Sequence, residues 1–286
     1  MLSYRHAFHA GNHADVLKHF VLMQVIAHAT QKDKPFWYID THAGAGQYSL
    51  DTGYATQNAE YESGIAKLWN ESDLPQPLLN YVGYIKSLNQ PSSPKTAKLN
   101  MYPGSPLCAQ ALLRADDRMR LFELHPSDFD ILCENFKGHQ RTVKIDMSNG
   151  FAGIKAILPP PPRRAVILID PPYEEKQDYH RVVEMIKDSL QRFATGTYII
   201  WYPLLQRPEP HQMVEKLKQL GLKSWLNVNL TVQEPSIEGF GMYGSGLFIV
   251  NPPWTLPNTL NEVMPYLTEK LAVDDGASFE IDSHIS

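Results

Sequence analysis

The sequence predicts an α/β fold, a mostly parallel sheet of seven strands broken by one small helical insertion. Three observations carry this expectation. Ala165-Val166-Ile167-Leu168-Ile169 is an unbroken apolar run between Arg163-Arg164 and Asp170-Pro171-Pro172-Tyr173, which reads as a strand buried on both faces. Phe36-Trp37-Tyr38-Ile39-Asp40 is a second run, and it passes into Thr41-His42-Ala43-Gly44-Ala45-Gly46. An acid at a strand end that leads into glycines opens the cofactor loop of nucleotide-type folds. Further strand-like runs alternate with stretches of helical spacing, as crossovers between parallel strands require.

A chain of 286 residues with 43% hydrophobic and 20% charged residues suits a single α/β domain with an insertion. No apolar run reaches the length of a membrane span, and the amino terminus is too polar for a signal peptide. The expectation is a cytoplasmic protein without a membrane partner. Cys108 and Cys133 lack CxxC spacing, which argues against disulfides and thiolate metal sites. A net charge of −5 speaks against tight non-specific binding to nucleic acid and leaves a specific nucleic-acid substrate open. The candidate basic surfaces are Arg5 with Lys18, and Arg163-Arg164.

Taken in order, the chain opens on a stretch crowded with histidines and aromatics. An amphipathic helix then starts near a capping Asn12, with Val16, Leu17, Phe20, Val21, Met23 and Val25 as its apolar face. His9 and His13 at i, i+4 with His19 resemble a metal set, but Asp15 is the only carboxylate nearby, so packing and capping roles are favoured. After the first strand the next acid at a strand end, Glu123, arrives late. The intervening residues 48–100 carry helical spacing at 61–69 and 78–88, broken by Pro75, Pro77 and Pro91, and read as an inserted helical subdomain. The core is then 1–47 and 101–286. Tyr102-Pro103-Gly104-Ser105-Pro106 begins a crossover helix with Ser105 as cap and Pro106 at its first position.

The second strand ends in Met119-Arg120-Leu121-Phe122-Glu123, placing Glu123 to accept two ribose hydroxyls. Thr142-Val143-Lys144-Ile145-Asp146 is the third, and its end, through Asn149-Gly150, should edge an adenine ring. The run ending at Asp170 is the fourth. Strands at 197–202, 225–232 and 246–251 follow, with helices near 181–192 and 212–220.

Asp170 offers a carboxylate acceptor, Pro171 a carbonyl without a competing N–H, and Tyr173 a flat face. Together they suit a planar ring bearing an exocyclic amine. Two acceptors draw the amine toward tetrahedral geometry and localise a lone pair otherwise delocalised into the ring. The four residues alone suit a strand followed by a stiff Pro-Pro turn equally well. Asn251-Pro252-Pro253-Trp254 repeats the pattern, but it closes the seventh strand, and strand counting favours Asp170.

The opening Met1-Leu2-Ser3-Tyr4-Arg5-His6, the run from Gly11-Asn12-His13 to Lys18-His19, the loop from Asp40 to Gly46, Pro103-Gly104-Ser105-Pro106, Glu123-Leu124-His125-Pro126 and Asp170-Pro171-Pro172-Tyr173 resemble the RlmJ family of bacterial 23S ribosomal RNA adenine-N6 methyltransferases. The likeness spans essentially the whole chain to about residue 270. It implies a Rossmann-like methyltransferase core, S-adenosylmethionine as donor, 23S ribosomal RNA as partner, and direct in-line transfer to an extruded base without a metal. It also implies cofactor contacts at His19, His42, Ser105, Glu123 and Asp170, beside those expected of Gly44, Gly46, Asp146, Asn149 and Gly150. Asp170 would be the catalytic acceptor and Tyr4 an RNA contact. Arg5 and His6 join it because they lie at an exposed chain end. A monomer is expected. One departure is Asp146-Met147-Ser148-Asn149-Gly150, where the family has a compact Asp-Gly, so either Asp146 or Asn149-Gly150 edges the adenine. An amine of DNA or of protein glutamine as substrate, or a non-catalytic RNA-binding assembly factor, remain the alternatives.

Overall fold

β6 (Ala165–Ile169) is the axis of the fold. In the computed structural model, which describes residues 5–51, 58–90 and 98–285, all five of its residues are buried. Val166 and Leu168 enter the core on one face of the sheet, and Ala165, Ile167 and Ile169 enter the core on the other. A strand covered on both faces has no position for a polar side chain, hence the uninterrupted apolar run.

β1 (Trp37–Asp40) and β7 (Thr197–Leu204) flank β6, both parallel to it. β4 (Arg118–Phe122) and β5 (Val143–Asp146) continue the parallel sheet beyond β1. Beyond β7 lie β9 (Gly244–Val250), β8 (Trp225–Thr231) and β10 (Ser278–His284), each antiparallel to its neighbour. The seven expected strands are therefore joined by an eighth on the edge. No residue of β10 is fully buried, so it lacks the apolar signal that marks the others. The chain runs outward through β1, β4 and β5, then returns to β6 and β7. This reversal opens a crevice at the carboxyl ends of β1 and β6, the usual ligand position in such sheets.

α1 (His13–Thr30) is capped by Asn12, whose Oδ1 accepts the Asp15 N–H at 3.0 Å. It is not amphipathic as expected. It is sandwiched between the sheet and the helices Gln76–Leu88, Ser105–Gln110 and Leu256–Leu271, and buries even Asp15, Lys18 and His19. Lys18 is thus no part of a basic surface. Arg164 is half-buried beside the exposed Arg163. Its guanidinium holds the carbonyls of Ala29 and Lys34 and lies over Phe36, at the amino ends of the strands and away from the crevice.

Between β1 and β4, β2 (Gln47–Ser49) and β3 (Met101–Pro103) form an antiparallel pair. The described part of the chain between them includes a 3-10 turn at Glu60–Ser63 and the helices Ala66–Trp69 and Gln76–Leu88. Leu78, Tyr81, Val82 and Ile85 join the same core as α1, so this segment roofs α1. Pro91 lies outside the described residues.

Candidate active site

The crevice holds a cavity of about 270 Å³. Asp40, at the end of β1, is fully buried behind it and organises one wall. Its Oδ2 accepts from the Tyr38 hydroxyl at 2.6 Å and the Ser105 hydroxyl at 2.7 Å, and its Oδ1 from the His42 N–H at 3.2 Å. Burial pushes its pKa up against the pull of these donors. Ser105 is therefore not the helix cap. Gly104 takes that position, with Ser105 and Pro106 as the first two helical residues. The Asp40 carboxylate offers the hydroxyl a charge-assisted bond, roughly twice as strong as a neutral one. The Gly104 N–H bonds the Gly46 carbonyl at 2.8 Å, and a side chain at Gly104 would press on that backbone.

Gly44 and Gly46 both adopt left-handed backbone, at φ 60° and 80°. The Gly44 N–H donates to Glu123 Oε2 at 2.8 Å, and the His125 N–H to Oε1 at 2.6 Å. Each Glu123 oxygen keeps a second lone pair, which suits a pair of neighbouring hydroxyls. Burial raises the Glu123 pKa while these backbone donors lower it. Gly44 and Glu123 line the cavity, whereas Gly46 sits behind it against Leu132 and Phe136.

His42 and His19 also line the cavity. The His42 ring meets the Phe151 ring at 5.0 Å, and burial brings its pKa down to about 4. His19 faces the Tyr102 hydroxyl at 3.0 Å, and burial lowers its pKa to about 3. Both are neutral at physiological pH. Asn149 caps the helix Gly150–Ile157 by accepting the Phe151 N–H at 2.9 Å. Gly150 packs directly on the Thr41 backbone, where no side chain fits. Asn149 and Gly150 line the cavity, while Asp146 turns away to pair with Arg120 at 3.3 Å and Lys144 at 3.4 Å. Of these alternatives, only Asn149-Gly150 edges the site.

At the other end, Asp170 Oδ2 accepts from Lys18 Nζ at 2.7 Å. Lys18 also meets Asp15 Oδ1 at 2.8 Å, and Asp15 Oδ2 accepts from the Gly11 N–H at 2.9 Å and contacts His6 Nε2 at 2.8 Å. Burial works against the Lys18 charge, but the two carboxylates outweigh it and hold the pKa well above the usual lysine value. Burial likewise works against the Asp15 charge, yet His6, Lys18 and His19 hold its pKa well below the usual range. His6 lines the cavity and is anchored, with 18% of its side chain exposed. Arg5 is half-buried, and Tyr4 lies outside the described residues.

Pro171 and Tyr173 are buried, and Pro172 is the residue between them that reaches the cavity. The expected open stacking face is absent at Tyr173. Its backbone is left-handed, at φ 52°, which turns the ring back into the core. There the hydroxyl donates to the Trp201 carbonyl at 2.7 Å and the ring lies 4.4 Å from Tyr179. Arg207 Nη2 donates to the Tyr173 carbonyl at 3.1 Å and to the Tyr179 hydroxyl at 2.9 Å.

Sequence reasoning missed Asp15, Lys18, Phe151 and Arg207 as parts of this arrangement, and marked Asp40 only as the acid that opens the glycine loop. Asp15 and Lys18 carried a usable signal, because charged residues in a helix apolar on every side are buried only when paired. Arg207 carried none, since it sits in the loop after β7.

The comparisons agree with one another. A family model described as ribosomal RNA large subunit methyltransferase D, RlmJ, matches residues 33–281. The ribosomal RNA large subunit methyltransferase J of Haemophilus influenzae is 46% identical over 283 residues, 99% of this chain and 98% of that protein. Its counterpart from Escherichia coli is 46% identical over 271 residues, 95% of this chain and 94% of that protein. The crystal structure of protein LPL1258 from Legionella pneumophila superposes with a TM-score of 0.87 at 36% identity, covering 96% of this chain and 98% of that one. With its crevice, its glycine loop and its Asp-Pro-Pro-Tyr strand end in these positions, the chain belongs to the RlmJ family of ribosomal RNA large-subunit methyltransferases.

Proposed function

We propose that the chain methylates the N6 amine of an adenine in 23S ribosomal RNA, with Asp170 as the acceptor that activates the amine. The observation that carries this reading is the position of Asp170. It ends β6 across the switch point from the Gly44–Glu123 wall, and its carboxylate is held by the Lys18 ammonium. S-adenosylmethionine, the donor of this class of enzyme, supplies an electrophilic methyl group from a sulfonium and leaves as a neutral thioether.

The residues present suit that donor. Glu123 has a free lone pair on each oxygen for the ribose hydroxyls, the glycine loop admits close approach, and Leu124 and Phe151 offer apolar surface to a purine. Neutral His19 and His42 add no positive charge beside a cationic donor. Ser105 and Asn149-Gly150 complete that half.

On the substrate side, the target adenine leaves the RNA stack, as bases do for enzymes that act on their ring substituents. Asp170 and the Pro171 carbonyl accept the two amine hydrogens and localise the nitrogen lone pair. Asp170 binds more strongly as the amine gains positive charge, so its contribution is greatest in the transition state, and the methylated cationic amine then releases one proton to solvent. Tyr173 acts from within the core by fixing the loop, and Tyr4, Arg5 and His6 contact the RNA. Positioning supplies most of the rate.

The test is incubation with methyl-labelled S-adenosylmethionine and 23S ribosomal RNA lacking the modification, followed by nucleoside mass analysis. Label in N6-methyladenosine, lost in Asp170→Ala, is the expected result. Label in another nucleoside, or label only on DNA or protein, overturns the reading.

A further inference from the structure

The Asp170-Pro171-Pro172-Tyr173 loop is pinned at both ends by side chains from elsewhere in the fold. Lys18 holds the Asp170 end. The Tyr173 end adopts left-handed backbone at φ 52°, a conformation that costs a non-glycine residue energy and persists only where its surroundings impose it. Three groups impose it here. The Trp201 carbonyl accepts the phenol, the Tyr179 ring lies against the Tyr173 ring, and Arg207 bonds the Tyr173 carbonyl. Arg207 ties these together, because the same Nη2 also reaches the Tyr179 hydroxyl and the guanidinium lies 5.3 Å over the Tyr179 ring.

Between the two pins lie two prolines whose rings fix φ. With so few free torsions, a rotation at Tyr173 is transmitted to the Pro171 carbonyl and the Asp170 carboxylate instead of being absorbed on the way. We propose that Arg207, from the loop after β7, is a positioning residue for methyl transfer, aligning the amine acceptors by fixing the Tyr173 end of the motif. This rests on the reading of Asp170 and the Pro171 carbonyl as those acceptors. Arg207 does not itself line the cavity, and the loop that it fixes enters the cavity at Asp170 and Pro172, across β1 from Glu123. Lysine is a poor substitute, because one ammonium lacks the planar fork that spans a carbonyl, a phenol and a ring face.

The experiment compares Arg207→Gln, Arg207→Lys and Tyr179→Phe in the full-length protein, using a 23S ribosomal RNA transcript under single- and multiple-turnover conditions. Hydrogen exchange of the 170–175 segment and calorimetric cofactor binding are measured alongside. Arg207→Gln is expected to lower kcat about 10- to 100-fold, the scale of a misplacement near 1 Å. RNA KM and cofactor affinity should stay within about twofold and exchange in 170–175 should quicken. Arg207→Lys should recover part of the rate, and Tyr179→Phe should fall between wild type and Arg207→Gln. A loss confined to KM makes Arg207 an RNA contact and overturns the proposal, as does unchanged exchange with unchanged kcat. If wild-type protein leaves the RNA unmodified, the adenine reading fails, and the exchange measurement still decides whether Arg207 holds the loop.

Discussion

Replacing Lys18 by Met keeps most of the side-chain volume and removes one ammonium from between two carboxylates. The side chain is 4% exposed and touches Asp15 at 2.8 Å and Asp170 at 2.7 Å. Breaking a buried pair by deleting one partner costs about 3–5 kcal/mol, mostly from the charge left behind. At roughly 2–4 °C per kcal/mol for a chain of this order of size, the melting point should drop by about 6–20 °C near pH 7.5. The pH dependence identifies the cause. In wild type the Asp15 pKa lies below its unfolded value, so its stabilisation is present above that unfolded value, near 4, and is lost as pH falls through the folded one. The Lys18 pKa lies above its unfolded value, so its stabilisation is complete below about 10 and is lost only in strong alkali. Without the ammonium, burial, the strongest influence on Asp15, is expected to carry its pKa above the unfolded value, so that the folded variant binds the proton more tightly and should gain stability on acidification. Urea unfolding of both proteins from pH 5 to 8 should show a gap that is widest at the alkaline end and narrows toward pH 5. A gap that is constant across this range would make Lys18 a packing residue, and equal stability at pH 7.5 would refute the argument outright.

Glu123→Ala removes both carboxylate oxygens from the Gly44 and His125 N–H groups and, on the proposed reading, from the cofactor hydroxyls. At about 1.5–3 kcal/mol per charged hydrogen bond, calorimetry should show cofactor affinity reduced well over tenfold in a folded protein. His42 and His19 titrate near 4 and 3, so neither should impose a pH dependence on cofactor affinity between pH 6 and 8, which titrations of wild type and His42→Gln check directly. Tyr173→Phe removes the phenol from the part-buried Trp201 carbonyl and should cost about 1 kcal/mol of stability by urea unfolding, while cofactor affinity holds. Asn251→Ala frees the carbonyls of Ala194 and Gly196, each bonded at 2.8 Å. It should destabilise by a similar amount and leave the single-turnover methylation rate unchanged.

The strands were legible where burial leaves a simple pattern. β6 and β1 are covered on both faces, so their composition shows through, whereas β10 is mostly exposed and lacks an apolar row. The wall of the cavity formed by Gly44 and Glu123 was legible too, because these residues sit at strand ends where sequence position and spatial position coincide. What escaped were contacts between residues far apart in sequence. Ser105 carries every local sign of a cap, yet a buried carboxylate 65 residues away claims its hydroxyl. Lys18 has the appearance of a surface charge until a residue 152 positions later supplies its partner. The orientation of Tyr173 depends on Trp201, Tyr179 and Arg207, and no spacing rule joins those positions.

The two Pro-Pro motifs show what composition leaves open and strand direction decides. Tyr173 and Asn251 share a left-handed backbone, each at φ 52°, and each motif follows a buried strand. β9 runs antiparallel to β7, while β6 runs parallel to it. The end of β9 therefore lies on the edge of the sheet opposite the crevice. There Asn251 uses its amide as a donor to the Ala194 and Gly196 carbonyls, which clamps the turn before β7 and leaves Trp254 exposed. Asp170 has only acceptors, and it stands at the edge where β1 and β4 also end. An amine acceptor must share an end of the sheet with the methyl donor, and of two similar tetrapeptides only the one on the parallel strand lies at the end that carries the Gly44 loop and Glu123.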